Sequence, residues 1–195
     1  MADPAYIDAD GVLTDGEAWV AVASATIAGS PANVTFTSTN DGQVGDWSQY
    51  MDLFIVCYKR SGAGSGGYTY ITLNGDSSAI YSNQYFQGNG ASVSAGVQSA
   101  QTGAWLWRET ISTDTANDFD CGTAHFFDIN SGKYKSILSM SAQDDGDADG
   151  YIAMYANTYA SQAPITSIEI PPYGGTGWAV GSRFDLFGIL PRMVA

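Results

Sequence analysis

The sequence predicts an all-β fold, a β-sandwich preceded by a short irregular N-terminal arm, on three observations. Gly (23), Tyr (12) and Trp (5) are abundant, while Leu, Glu and Lys are scarce; strands favour aromatic and β-branched residues where helices favour Ala, Leu, Glu and Lys. Apolar residues alternate with polar ones in short runs, and no run carries a helical period of useful length. Gly, Asn and Asp punctuate those runs. At 195 residues and 45% hydrophobic, the chain has the size of one domain and enough apolar content to fill its core.

Residues 1–17 are polar, acidic and without clear periodicity, which makes them an arm or lead-in. Residues 19–27 (WVAVASATI) and 33–37 (NVTFT) alternate as half-buried strands do. Residues 52–60 (DLFIVCYKR) are apolar on both faces, the mark of a central sandwich strand. The run 61–67 (SGAGSGG) reads as a flexible hairpin connection to 68–73 (YTYITL). Asn74-Gly75-Asp76 is a turn, since Asn-Gly accepts the positive φ that tight turns need. The polar stretch 87–102 reads as a long surface loop, where binding tends to sit. Strands follow at 104–111, 122–129, 133–141, 151–157, 165–170 and 182–190, with a short turn at Asn130-Ser131-Gly132. About nine to eleven short strands form the pattern of a β-sandwich or jelly roll. The expected organisation is an arm and lead-in strand over 1–29 and a jelly-roll sandwich over 30–195, with no internal repeat.

Charge excludes some partners. Twenty acidic residues against seven basic ones give a net charge of -13. Nucleic acid calls for a basic surface, and the densest basic spots are only Lys59-Arg60 and Lys133/Lys135, pairs that ordinarily solvate a strand end. Anionic membranes are excluded on the same ground, and no run of ~18 apolar residues could span a bilayer. The acidic N-terminus does not resemble a signal peptide. Cys57 and Cys121 lie in apolar strand patterns and are expected to be buried free thiols, as suits synthesis in a reducing cytoplasm.

Catalytic and metal chemistry find little support. Asp145, Asp147 and Asp149 alternate before Gly150, as a helix-loop-helix calcium loop begins. Counting from Asp145, however, position 12 is Ala156 where a bidentate Glu should close the site, and the flanks read as strands. DDGDADG is then an acidic hairpin loop, and no metal or other cofactor is expected. His125 is the single histidine and alternates with Phe127, as a packed or interface residue would. Glu109 with Asp114 could be chosen as a glycosidase pair, but twenty carboxylates guarantee such pairs by chance. There is no Gly-x-Ser-x-Gly elbow, and GNGAS (88–92) lacks the lysine and helix of a phosphate loop. No catalytic residue is assigned and the chain is not expected to be an enzyme. Trp105 and Trp107, two apart, and Tyr151, Tyr155 and Tyr159 suit sugar stacking, a subunit interface or plain core packing, and packing is favoured.

LNGDSSAIYSNQYFQGNGAS (73–92), NSGKYKSILSMS (130–141), APITSIEI (163–170) and AVGSRFDLFGIL (179–190) occur in that order. Together they resemble a jelly-roll domain of tailed-bacteriophage virion proteins, met in capsid decoration (cement) proteins and in head- or tail-fibre tips. The likeness runs from about Val34 to Leu190 and rests on structural pieces, so it transfers no active-site residue. It implies a homo-oligomer, expected to be a trimer, on the virion. The strand pattern starts close to the first Met and the chain ends just after its last strand, which favours a decoration protein over a fibre tip. The expected partners are the major capsid protein and further copies of the chain, and the expected location is the capsid surface after synthesis in the host bacterial cytoplasm. Tyr6, Ile7, Val12 and Leu13, the apolar residues of the arm, are the candidates for capsid attachment. The alternative is a fibre-tip or receptor-binding module that takes host surface glycan through the 87–102 loop and the Trp pair.

Overall fold

Alternation sets the inner faces of the strands. In YTYITL the even positions Thr69, Ile71 and Leu73 are fully buried, and in KSILSMSAQ Lys135, Ile137, Ser139 and Ser141 turn inward. The computed structural model describes residues 6–7, 13–14, 18–29, 33–64, 67–143, 150–175 and 177–190. In chain order the strands are β1 (Tyr6–Ile7), β2 (Leu13–Thr14), β3 (Trp19–Thr26), β4 (Val34–Thr37), β5 (Asp52–Lys59), β6 (Tyr68–Leu73) and β7 (Tyr81–Gly88). They continue with β8 (Val93–Gln101), β9 (Ala104–Arg108), β10 (Asp120–Phe127), β11 (Lys135–Gln143), β12 (Tyr151–Tyr159), β13 (Ser167–Ile170) and β14 (Arg183–Ile189). The described helices are two three-residue 3-10 turns, at Trp47–Gln49 and Tyr173–Gly175.

Strands β3 to β14 form two antiparallel sheets packed as a sandwich. The large sheet has eight strands in the order β3-β14-β5-β10-β11-β12-β7-β8, and the small sheet has four, β4-β13-β6-β9. Successive strands cross between the sheets at every step from β3 to β14 except β7 to β8, β10 to β11 and β11 to β12. Two hairpins, β7–β8 and β11–β12, lengthen the large sheet beyond β10. Leu53, Ile55, Ile71, Leu106, Trp107, Phe126, Ile168 and Phe184 are completely buried between the sheets, each contributing ~1.5–3 kcal/mol of apolar burial.

β9, at the end of the small sheet, would expose a backbone edge, and polar side chains of the large sheet close it. Trp105 N donates to Asn157 Oδ1 (3.1 Å), Asn157 Nδ2 donates to Trp105 O (2.9 Å), Ser139 Oγ donates to Leu106 O (2.7 Å) and Arg108 N donates to Ser141 Oγ (3.2 Å). Buried Asn and Ser on inner strand positions are explained this way, because a buried polar group must find a partner.

Several sequence expectations are corrected. The stretch 87–102 is not a long loop: β7 and β8 pair as an antiparallel hairpin around a tight turn in which Asn89 Oδ1 accepts from Ser92 N at 2.8 Å. The run 61–67 does not close a hairpin, since β5 and β6 lie in different sheets; Ser61 and Ala63 are buried, and Gly62 N donates to Gly177 O at 2.9 Å. Lys59 and Arg60 do not solvate a strand end, because both are buried. The arm is not wholly irregular: β1 and β2 form a short antiparallel ladder, Tyr6 opposite Thr14 and Ile7 opposite Leu13. The strand 19–27, grouped above with the arm, pairs with β14 in the large sheet and puts Val20 and Ile27 into the core. Cys57 is buried but Cys121 is exposed; their strands are adjacent, yet the two thiols lie on opposite faces and remain free.

Candidate functional site: the open face of the large sheet

One face of the eight-stranded sheet packs on the small sheet. Residues opposite one another across β5, β10, β11, β12, β7 and β8 build three rows on the other face. The first runs Phe54, His125, Leu138, Ala156, Gln84 and Val97; the second Val56, Thr123, Met140, Met154, Phe86 and Ala95; the third Tyr58, Cys121, Ala142, Ile152, Gly88 and Val93. Three rows of six hold no Asp, Glu, Lys or Arg, in a chain that is 14% charged. Val93, Ile152, Val97, Tyr58, Phe86 and Met140 are 49–79% exposed, so the face is open. At its β14 end stand Arg183 and Asp185, which neutralise each other through Nε–Oδ2 at 2.8 Å.

Strand spacings of ~4.8 Å and ~6.8 Å between same-face residues give a field on the order of 600 Å² once side-chain width is added. That is the upper end of what monomers leave exposed and approaches the ~800 Å² each partner gives a standard interface. The relief is shallow. One trough of about 340 Å³ runs between Phe86, Leu138, Met154 and Ala156, and a neighbouring one of about 330 Å³ between Ser82, Val97, Ser136 and Thr158. A depression of about 600 Å³ lies at the end of the field, between Gly88, Phe119, Cys121 and Ile152. Chemically, such a surface suits a protein partner with a broad apolar contact better than a small polar ligand.

The singled-out residues fall into place around it. His125 lies in the first row, with Nε2 2.8 Å from Asp52 Oδ2 and its ring stacked on Phe127 at 3.7 Å. Asp52 is also occupied by Asp128 N, which donates to Oδ1 at 2.7 Å. Glu109 is 2% exposed; Thr69 Oγ1 donates to it at 2.8 Å and Tyr173 N at 3.0 Å, so it ties β6 and the 3-10 turn at Tyr173 together. Asp114 accepts from Ile111 N at 2.7 Å within the loop before β10. Both carboxylates of the would-be glycosidase pair have structural partners. Trp107 is completely buried and donates to Thr123 O at 2.9 Å, whereas Trp105 is half-buried and stacks on Tyr68 at 4.5 Å, so the two do not share an exposed face. Tyr155 and Tyr159 are buried, and Tyr151 packs beneath the Arg108 guanidinium at 3.9 Å.

Of the attachment candidates, Tyr6, Ile7 and Leu13 lie in the β1–β2 ladder, and Val12 lies outside the described residues. Residues 144–149 of the acidic loop also lie outside them; its flanks are strands, with Gln143 opposite Tyr151. Among the described residues no group of three metal-ligating side chains forms. Sequence reasoning missed the open face itself. Its signal was the apolar character of both faces of DLFIVCYKR, taken for double burial. Comparison with protein-family models, with curated proteins and with solved structures gives no match.

Proposed function

We propose that this chain is a structural virion protein of a tailed bacteriophage, which decorates and cements the capsid exterior by binding the major capsid protein. The observation that carries the reading is the open field on the large sheet, broad, shallow and without charge on a molecule of net charge -13. An apolar field of this size is stabilised by a partner that covers it, and the acidic remainder keeps densely displayed copies apart. Cementing needs only modest contacts repeated over many subunits, because linked contacts raise avidity through effective concentration. The crossing order of the strands supports a jelly roll: without the two added hairpins the sheets reduce to β3-β14-β5-β10 and β4-β13-β6-β9, and successive strands wrap from one to the other except β6 and β9, which pair within the small sheet. Tyr6, Ile7, Val12 and Leu13 of the arm add a second contact to the shell.

Capsids stripped of this protein provide the test. Purified chain should co-sediment with them, and Met140→Asp, at a 49% exposed centre of the field, should weaken binding at least tenfold without altering the melt. Deleting residues 1–16 in the same assay should reduce occupancy and leave the melt unchanged. Undiminished binding by Met140→Asp would remove the field from the mechanism. A second reading, a fibre-tip module for host surface glycan, draws on the half-buried Tyr68, Tyr70, Tyr85 and Trp105, whose ring centroids lie 4.5–6.0 Å from that of Trp105. Host-cell binding that Trp105→Ala abolishes, with no capsid binding, would favour it.

A further inference from the structure

The free edges of the two sheets are not alike. β4 is only four residues long, and β9 is closed by the Asn and Ser side chains described above. β3 carries a register step in its middle, opposite Leu186/Phe187. Short edges, covered edges and bulges are the devices by which proteins block strand-to-strand association. β8 has none of them over Val93–Gln98, which stay in regular register with Asn83–Gly88; its irregularity comes later, where Ala100 has φ 53°. Among the described residues its outer edge pairs with no other strand.

Charge singles out the same edge. Residues 77–107 hold no Asp, Glu, Lys, Arg, His or Pro. At the chain's 14% charged content, a stretch of that length would carry about four charges. Two molecules of net charge -13 repel over most of their surfaces, and the β7–β8 hairpin is where they can meet without that cost.

We propose that β8 pairs with β8 of a second copy, antiparallel about a two-fold axis at Ala95, so that two large sheets become one sheet of sixteen strands. The register follows from the side chains. Centred on Ala95, Val93 stands opposite Val97 of the partner subunit and Ala95 opposite Ala95 of the partner subunit on the open face. Ser94 then meets Gly96 of the partner subunit on the other face, where Gly96 leaves room for the Tyr85 ring. Centring on Val97 would instead set Ala95 against Ser99 and Val93 against Gln101, pairing apolar with polar. A two-fold contact of this kind is self-complementary and closes after two copies, so this edge gives a dimer where the phage resemblance implies a trimer. The pairing does not depend on what the open face binds. With about six residues a side it falls short of a standard interface, so dissociation is expected in the micromolar range.

Sedimentation of the full chain between about 1 and 200 μM tests this, a range chosen to bracket such an affinity. The mass should rise from 20.6 kDa to twice that value. Val97→Lys, on a 64% exposed position, should hold the chain monomeric with an unchanged circular dichroism spectrum. Met140→Asp, three strands away on the same face, should leave the dimer intact, which separates edge pairing from face-to-face docking and from the capsid test above. Ala95→Cys combined with Cys121→Ser should form a disulfide-linked dimer on mild oxidation. Residues directly opposite in antiparallel strands have Cα atoms ~4.5–5.5 Å apart, within disulfide reach. A monomer at every concentration, a trimer mass, or a dimer that survives Val97→Lys and fails to cross-link through the thiol introduced by Ala95→Cys would each overturn the proposal.

Discussion

Lys59 Nζ and Asp120 Oδ1 meet at 2.5 Å in the middle of the sandwich, with both side chains completely buried. Lys59 also donates to Arg108 O at 2.7 Å, and Asp120 Oδ2 accepts from Thr110 N at 2.7 Å. Burial pushes the Asp120 carboxyl up to about 6, against the pull of Lys59. Burial alone would lower the Lys59 pKa, but the pull of Asp120, added to by Cys57 and Glu109, raises it above the ordinary value, and Lys59 stays charged. Removing one member strands the other in the core, so Lys59→Met should cost ~3–5 kcal/mol, whereas Lys59→Met with Asp120→Leu should recover most of that loss. Chemical denaturation of both variants checks this, and a single variant as stable as the parent would show the pair to be dispensable. Arg60 works similarly on the loop before β10, donating to the carbonyls of Ser112, Asp114, Thr115 and Asp118 at 2.7–3.3 Å. None of this was legible in KR at the end of a strand, because the partners sit about fifty to sixty positions further along the chain and propensity reports only on neighbours.

Among the elements, the strands that alternate and end at Gly or Asn were legible, from WVAVASATI to RFDLFGI. The β7–β8 hairpin was not. Its second strand, VSAGVQSAQ, has only two strand formers, Val93 and Val97, among Ser, Ala, Gly and Gln, and it holds its place through the ladder to β7. The open face escaped for a different reason. A strand apolar on both sides reads as buried on both sides, but Phe54, Val56 and Tyr58 of β5 face outward into the field. Packing between elements is equally invisible from spacing. Gly122 of β10 lies under Trp107 of β9, and a Cβ there would come within 2.6 Å of the indole and 3.0 Å of the Cys57 sulfur. Gly122→Ala therefore overpacks the junction of the sheets and should destabilise by ~1–3 kcal/mol. A denaturation midpoint equal to that of the parent would mean β9 shifts freely over β10, which the hydrogen bond from Trp107 to Thr123 O argues against.

For the whole molecule, the sandwich depends on tyrosines that must stay neutral. The Tyr50 hydroxyl donates to Val44 O at 2.7 Å, and that of Tyr81 donates to Asp76 O at 2.9 Å while accepting from Leu73 N. Tyr155 lies between Tyr68 and Tyr85. Burial pushes Tyr50 up to about 12 and also raises Tyr81 and Tyr155. A phenol whose pKa is higher in the folded than in the unfolded chain binds its proton more tightly when folded. Its contribution to stability is complete below the unfolded value near 10, and is lost as pH rises from there through about 12. Each phenolate formed adds a negative charge, so a chain already at -13 repels itself further. Alkaline unfolding should therefore be cooperative. The part of the tyrosinate absorbance near 295 nm that comes from these buried phenols and the loss of near-ultraviolet circular dichroism should share one midpoint above pH ~10. Complete tyrosine ionisation with the dichroism intact would show that these phenols titrate inside the native sandwich, and their burial would then not be what makes the fold fail in base.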